Sequence, residues 1–128
     1  MFAILDCPEH VRELVSGLDL LKSDRHERPG GKNQLNYLLR NARATELSTA
    51  VLESIAQIDG SVVLDRNSTL LAFGAILRHR PPAEENEEIS EGGRTAAAIG
   101  ASQFGSVLMI SEGGQLSFYQ KGHCIWTM

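Results

Sequence analysis

Apolar residues recur along this chain with two different periods, and the change between them divides it into helical and extended regions. From Pro8 to about Lys22, Val11, Leu14, Val15, Leu18 and Leu21 return at helical spacing, which predicts an amphipathic helix with Asp6 as its N-cap and Pro8 in its first turn. Ser23 to Lys32 is dense in charge and contains Pro29-Gly30-Gly31, a composition suited to an exposed hinge. Asn33 to about Ile58 reads as one or two helices. Leu35, Leu38 and Leu39 form one apolar set, and Leu47, Val51, Leu52 and Ile55 form another, with Asn41 or Thr45 available to start the second helix.

After Asp59-Gly60 the period shortens. Val62, Val63 and Leu64, a turn over Asp65-Arg66-Asn67-Ser68, and Thr69 to Leu77 together predict a β-hairpin. Arg78 to Gly93 holds Pro81-Pro82 and five glutamates, so it resists burial and is expected to cover or flank a surface site. Arg94 to about Gln103 is a helix of small residues. Val107 to Ile110 and Gln115 to Tyr119 form a second hairpin around Ser111-Glu112-Gly113-Gly114. The order of helices, hairpin, helix, hairpin predicts an α/β fold, a mixed sheet flanked by helices. Residues 1–32 are read as an N-terminal helix and hinge, and residues 33–128 as the main domain.

Composition narrows the function. The chain has 128 residues, 42% of them hydrophobic, enough for one ordinary core. Its net charge of −4 offers no broad attraction to nucleic acid or an acidic membrane, so phosphate recognition has to be local. Cys7 and Cys124 stand at opposite ends with no CxxC pair, which argues against zinc or a disulfide framework and for reduced thiols in the cytoplasm. The first residues, Met-Phe-Ala-Ile-Leu-Asp, contain no basic region and no apolar run of membrane length, so no membrane association is expected.

Several short segments can carry chemistry. Gly92-Gly93-Arg94 at a helix start combines free backbone N–H groups, the positive end of the helix dipole and a guanidinium, which suits an anion. On spacing alone, a plain glycine loop with a surface arginine fits equally well. Asp59-Gly60-Ser61 places a carboxylate beside a residue free to adopt unusual φ, as a metal ligand at a sheet edge requires, although such a triplet is more often a turn. Glu112 is a second potential metal ligand or a solvated turn residue. Arg78-His79-Arg80 follows a strand and precedes two prolines, as a basic strand end balancing the acidic loop or as a donor of extra cations to the site. His10, His26 and His123 have no ligand spacing among them, and Trp126 is expected to pack.

Taken in order, these segments resemble the diadenylate cyclase family. There the motifs read Asp-Gly-Ala, then Gly-Thr-Arg-His-Arg-Ala-Ala followed by Leu-Gly, then Ser-Glu-Glu near a glycine turn. Here they stand as Asp59-Gly60-Ser61, Gly92-Gly93-Arg94-Thr95-Ala96-Ala97-Ala98-Ile99-Gly100 and Ser111-Glu112-Gly113, within a resemblance running from Gln34 to Tyr119. It implies ATP held across the first two motifs with Mg or Mn, and two protomers meeting so that each ribose hydroxyl attacks the partner's α-phosphate. Asp59, Gly60, Ser61, Gly92, Gly93, Arg94, Thr95, Ser111 and Glu112 are the implied nucleotide-binding residues, with Asp59 and Glu112 toward the metal. Asp59 would be the catalytic residue if the protein is active. Thr95 and Ala96 stand where the family has histidine and its second arginine, and losing such donors commonly costs about 10²- to 10³-fold each in rate. The resemblance therefore implies a sensor that binds an adenine nucleotide and cyclises it little or not at all. The alternatives are an active cyclase making cyclic di-AMP from two ATP, and a dimerisation module with an empty pocket.

Overall fold

The computed structural model describes residues 1–17, 19–21, 31–78 and 92–128, with the side chains of residues 31–34 left out. Six strands form one mixed sheet in the order β3-β2-β1-β4-β5-β6. They are β1 (Phe2–Leu5), β2 (Ser61–Asp65), β3 (Leu70–Ala75), β4 (Gly105–Ile110), β5 (Leu116–Gln120) and β6 (His123–Thr127). β1 runs parallel to β2 and antiparallel to β4, and the other neighbours are antiparallel. The α/β architecture expected from the two periodicities is the one observed.

Both expected hairpins are present. In the first, the Asp65 carboxylate accepts hydrogen bonds from the backbone N–H groups of Asn67 and Thr69 at 2.8 Å each, which explains why a polar turn interrupts the apolar run there. The second hairpin continues into β6 through Lys121-Gly122, two residues with φ of 52° and 79°. Both φ values are positive, as in the tightest hairpin turns.

The sheet is covered on both faces by different helices. On one face α4 (Gly93–Ser102) lays Ala97, Ala98 and Ala101 onto Ala3, Leu5, Val63, Val107 and Tyr119. Small side chains let this helix sit close to the strands. Val11, Leu14 and Val15 join the same core from the short helix α1 (Val11–Leu14) and its exit. On the other face α3 (Thr49–Gln57) packs Ile55 against Val62, Leu70 and Phe73, joined by Leu39 beyond α2 (Gly31–Leu38).

Several elements differ from their expected form. Phe2–Leu5 lies inside the segment read as helix and hinge, yet it is an interior strand of the sheet, with Ala3 and Leu5 fully buried. The helix expected from Pro8 to Lys22 is a single 3₁₀ turn (Pro8–His10) followed by α1. It stops where Val15 turns extended, before Ser16-Gly17, and the chain then runs beside β3, Leu20 bridging Ala72. Asp6 is not an N-cap; its carboxylate pairs with Arg66 at 2.9 Å. Neither Asn41 nor Thr45 starts α3. Ser48 does, its hydroxyl accepting from the Val51 N–H, while Asn41 sits at φ 63° between the helices. The hinge residues 22–30 and the acidic loop residues 79–91, including His79 and Arg80, lie outside the described residues.

Candidate functional site

Four strands bring their ends to one edge of the sheet: the starts of β1 and β2 and the ends of β3 and β4. The start of α4 hangs over that edge. Between them lies a cavity of about 600 Å³, in the range of small-molecule pockets. Its apolar wall comes from Phe2, Ile58, Leu77, Ala97, Met109 and Ile110, and its polar groups from Gln57, Asp59, Ser61 and Arg94.

Asp59-Gly60-Ser61 forms the corner between α3 and β2. Gly60 has φ 119°, and a Cβ there would lie 2.6 Å from the Gly74 carbonyl carbon and 2.7 Å from the Ala75 nitrogen. Only glycine lets the chain turn this closely against β3, and that turn sets Asp59 at the cavity mouth and Ser61 at its base. Gly92-Gly93 opens α4. Gly92 is the N-cap and supplies no side-chain cap, so the Gly93 and Arg94 N–H groups, without a backbone partner among the described residues, and the positive dipole end stand beside the cavity. Space around both glycines is open. Thr95 lies in the same first turn, its N–H bonded to the Gly92 carbonyl at 2.9 Å.

Arg94 joins the three segments. Its guanidinium lies 3.9 Å from the Asp59 carboxylate and 3.6 Å from that of Glu112. Residues separated by more than 50 positions in the chain thus converge on one cation. Both distances exceed hydrogen-bond reach, and all three side chains are well exposed, so these contacts add little stability. They set the charge of the site instead, one positive group between two negative ones. Burial holds the Met1 ammonium below its ordinary pKa, with the nearby Arg94 charge acting in the same direction.

Ser111 has a local task, its hydroxyl accepting from the Gln115 N–H at 3.0 Å and closing the turn that projects Glu112. Among the described residues the site offers a metal two carboxylates, and no cluster of three or more acidic, histidine or cysteine side chains suited to a metal occurs. That donor set still fits Mg or Mn, ions that commonly bind through one or two carboxylates plus substrate phosphates. Met1, Phe2, Ile76, Leu77, Met109 and Ile110 line the cavity without having been singled out in the sequence. Their only signal is position, at strand ends that become neighbours once the sheet order is known.

No family model matches the chain, and no curated protein does. Among solved structures it is similar to a hypothetical membrane spanning protein from Bacillus cereus, at 29% identity and a TM-score of 0.51. The likeness covers 69% of this chain and 44% of that one, so the chain spans less than half the length of its neighbour. Among the described residues, no helix is long and apolar enough to cross a membrane.

Proposed function

We propose that this chain is a diadenylate-cyclase-like domain that binds an adenine nucleotide as a sensor and cyclises it little or not at all. The observation that supports this most is the meeting of Arg94, Asp59 and Glu112 at the mouth of a cavity beneath the uncapped start of α4. The order in which the three motifs occur in the sequence agrees with it.

The chemistry follows from the charges. A polyphosphate approaching the α4 terminus meets the first-turn N–H groups and Arg94, but also two carboxylates, so the three side chains together carry −1 and repel a free triphosphate. Asp59 and Glu112 would hold a divalent ion and it would supply positive charge to the phosphates, while the exposed Arg94 guanidinium offers charged hydrogen bonds to phosphate oxygens. The apolar wall of the cavity then receives the flat base. Binding of this kind needs these groups and the divalent ion, whereas cyclisation also needs cations on the transferred phosphate at the positions of Thr95 and Ala96. The free thiols of Cys7 and Cys124 suit a cytoplasmic setting.

Chromatography of the protein incubated with ATP and Mg or Mn separates the sensor from a working cyclase. Unconverted or trace-converted ATP is expected. Robust cyclic di-AMP formation, lost in Asp59→Asn, would establish the cyclase and end the sensor reading.

A further inference from the structure

We infer that the Ser61 hydroxyl reads the uncharged part of the bound nucleotide, its base or sugar, and so sets specificity at the base of the cavity. The inference rests on the nucleotide-binding reading above and adds a residue-level role to it.

Three serines are buried among the described residues: Ser61, Ser102 and Ser117. Two of them have clear tasks. Ser102 donates to the Ile99 carbonyl at 2.8 Å and accepts from the Gly122 N–H at 3.0 Å, and Ser117 meets the Thr127 hydroxyl at 3.1 Å. Ser61 is 3% exposed, and among the described residues its hydroxyl has no hydrogen-bond partner. The one buried side-chain polar atom without a partner among the described residues is His10 Nδ1, so the Ser61 hydroxyl still opens onto the cavity, where it is free to bond a ligand.

The direction of that hydroxyl is fixed by the strand. Val62 and Leu64 belong to the core under α3, whereas Val63 belongs to the core under α4, so Ser61 shares the α4 side with Val63. That side is the cavity, which Ser61 lines together with Gly93, Arg94 and Ala97. Depth then assigns the part of the ligand. Arg94, Asp59 and Glu112, at 58%, 98% and 89% side-chain exposure, hold the charged end at the mouth, where phosphate keeps its water. Ser61 itself is buried beside Leu77, Ala75 and Ala97 and offers a neutral hydroxyl, which matches an uncharged group better than a phosphate that would have to shed its water. A base or sugar loses little there and gains a hydrogen bond. The deep, uncharged end of the cavity therefore suits the nucleoside.

Calorimetry with two probes, ATP and inorganic tripolyphosphate, each with Mg, tests this on the parent, Ser61→Ala and Arg94→Ala. One neutral hydrogen bond corresponds to roughly a two- to tenfold change in affinity. Ser61→Ala is expected to weaken ATP by that factor and leave tripolyphosphate unchanged, while Arg94→Ala weakens both. The ligand-free Ser61→Ala protein should melt at or slightly above the parent temperature, because its hydroxyl bonds nothing among the described residues. Equal ATP affinity in Ser61→Ala and parent, with Arg94→Ala weakened, overturns this inference and leaves the nucleotide site standing. Equal loss of both probes in Ser61→Ala overturns it too, since the hydroxyl would then serve phosphate, and so does a clear drop in melting temperature. Failure of the parent to bind either probe removes the nucleotide reading itself, and this inference with it.

Discussion

Replacing Gly60 by alanine tests whether the corner between α3 and β2 builds the site. Two costs combine there. At φ 119° an L-residue leaves its allowed backbone regions, a strain of about 1–3 kcal/mol. The added Cβ also stands 2.6, 2.7 and 2.9 Å from backbone atoms of Gly74 and Ala75, which belong to β3 and have no rotamer through which to retreat. Relieving those contacts means moving the corner away from the strand, at a further cost of about 1–3 kcal/mol by analogy with overpacked cores. The expected loss is about 3 kcal/mol. For a domain of this length each kcal/mol lowers Tm by about 3–5 °C, so Gly60→Ala should melt roughly 10 °C below the parent. Gly93→Ala is the control, because it has helical surroundings, no neighbour within 4 Å of the new Cβ, and a gain in helix propensity of up to about 1 kcal/mol. Differential scanning calorimetry of the three proteins reads both effects. A Gly60→Ala protein melting within about 2 °C of the parent would refute the close approach on which the placement of Asp59 and Ser61 depends.

Two further outcomes follow from the first turn of α4. Thr95→His with Ala96→Arg adds cations where the helix dipole disfavours them, so the ligand-free double variant should lose about 0.3–1 kcal/mol of stability yet show a larger ATP-induced thermal shift than the parent. No larger shift would break the alignment of Gly92 to Gly100 with the cyclase motif. Arg94→Ala removes only exposed ion pairs at 3.6 and 3.9 Å, so its Tm without ligand should stay within a few degrees of the parent in a melt followed by circular dichroism.

How far the sequence could be read depended on how local the cause of each element was. Both expected hairpins were legible because a run of β-branched or aromatic residues meets a polar turn, and α4 because small residues follow a glycine pair. Strand β1 was not. Phe-Ala-Ile-Leu is four residues long and becomes an interior strand only through partners about 60 and 100 positions away, Val62 to Asp65 and Gly105 to Leu108. Strand β6 left a weak trace in Lys121-Gly122, whose positive φ values make a hairpin turn, but its five residues are all exposed and show no buried alternation. The expected first helix ran too long because its spacing continued past Ser16-Gly17, where the chain follows β3 instead.

The candidate site divides in the same way. Asp59, Arg94 and Glu112 were recognisable by motif, and the structure brings their side chains within 4 Å of a common guanidinium. The apolar wall was invisible, since Phe2, Leu77 and Met109 become neighbours only through the sheet order. Arg78 of the Arg78-His79-Arg80 triplet is held by its backbone, its N–H bonded to the Leu14 carbonyl at 2.8 Å, and the other two residues lie outside the described part of the chain.

The central claim, an adenine nucleotide held with its phosphates on Arg94, is tested most directly by titrating ATP with Mg into the parent and into Arg94→Ala. A charged hydrogen bond contributes about 1.5–3 kcal/mol, so the account predicts saturable binding to the parent and roughly a ten- to hundredfold loss of affinity in a variant that remains folded. Unchanged affinity in a folded Arg94→Ala protein, or no binding to the parent at all, would contradict it.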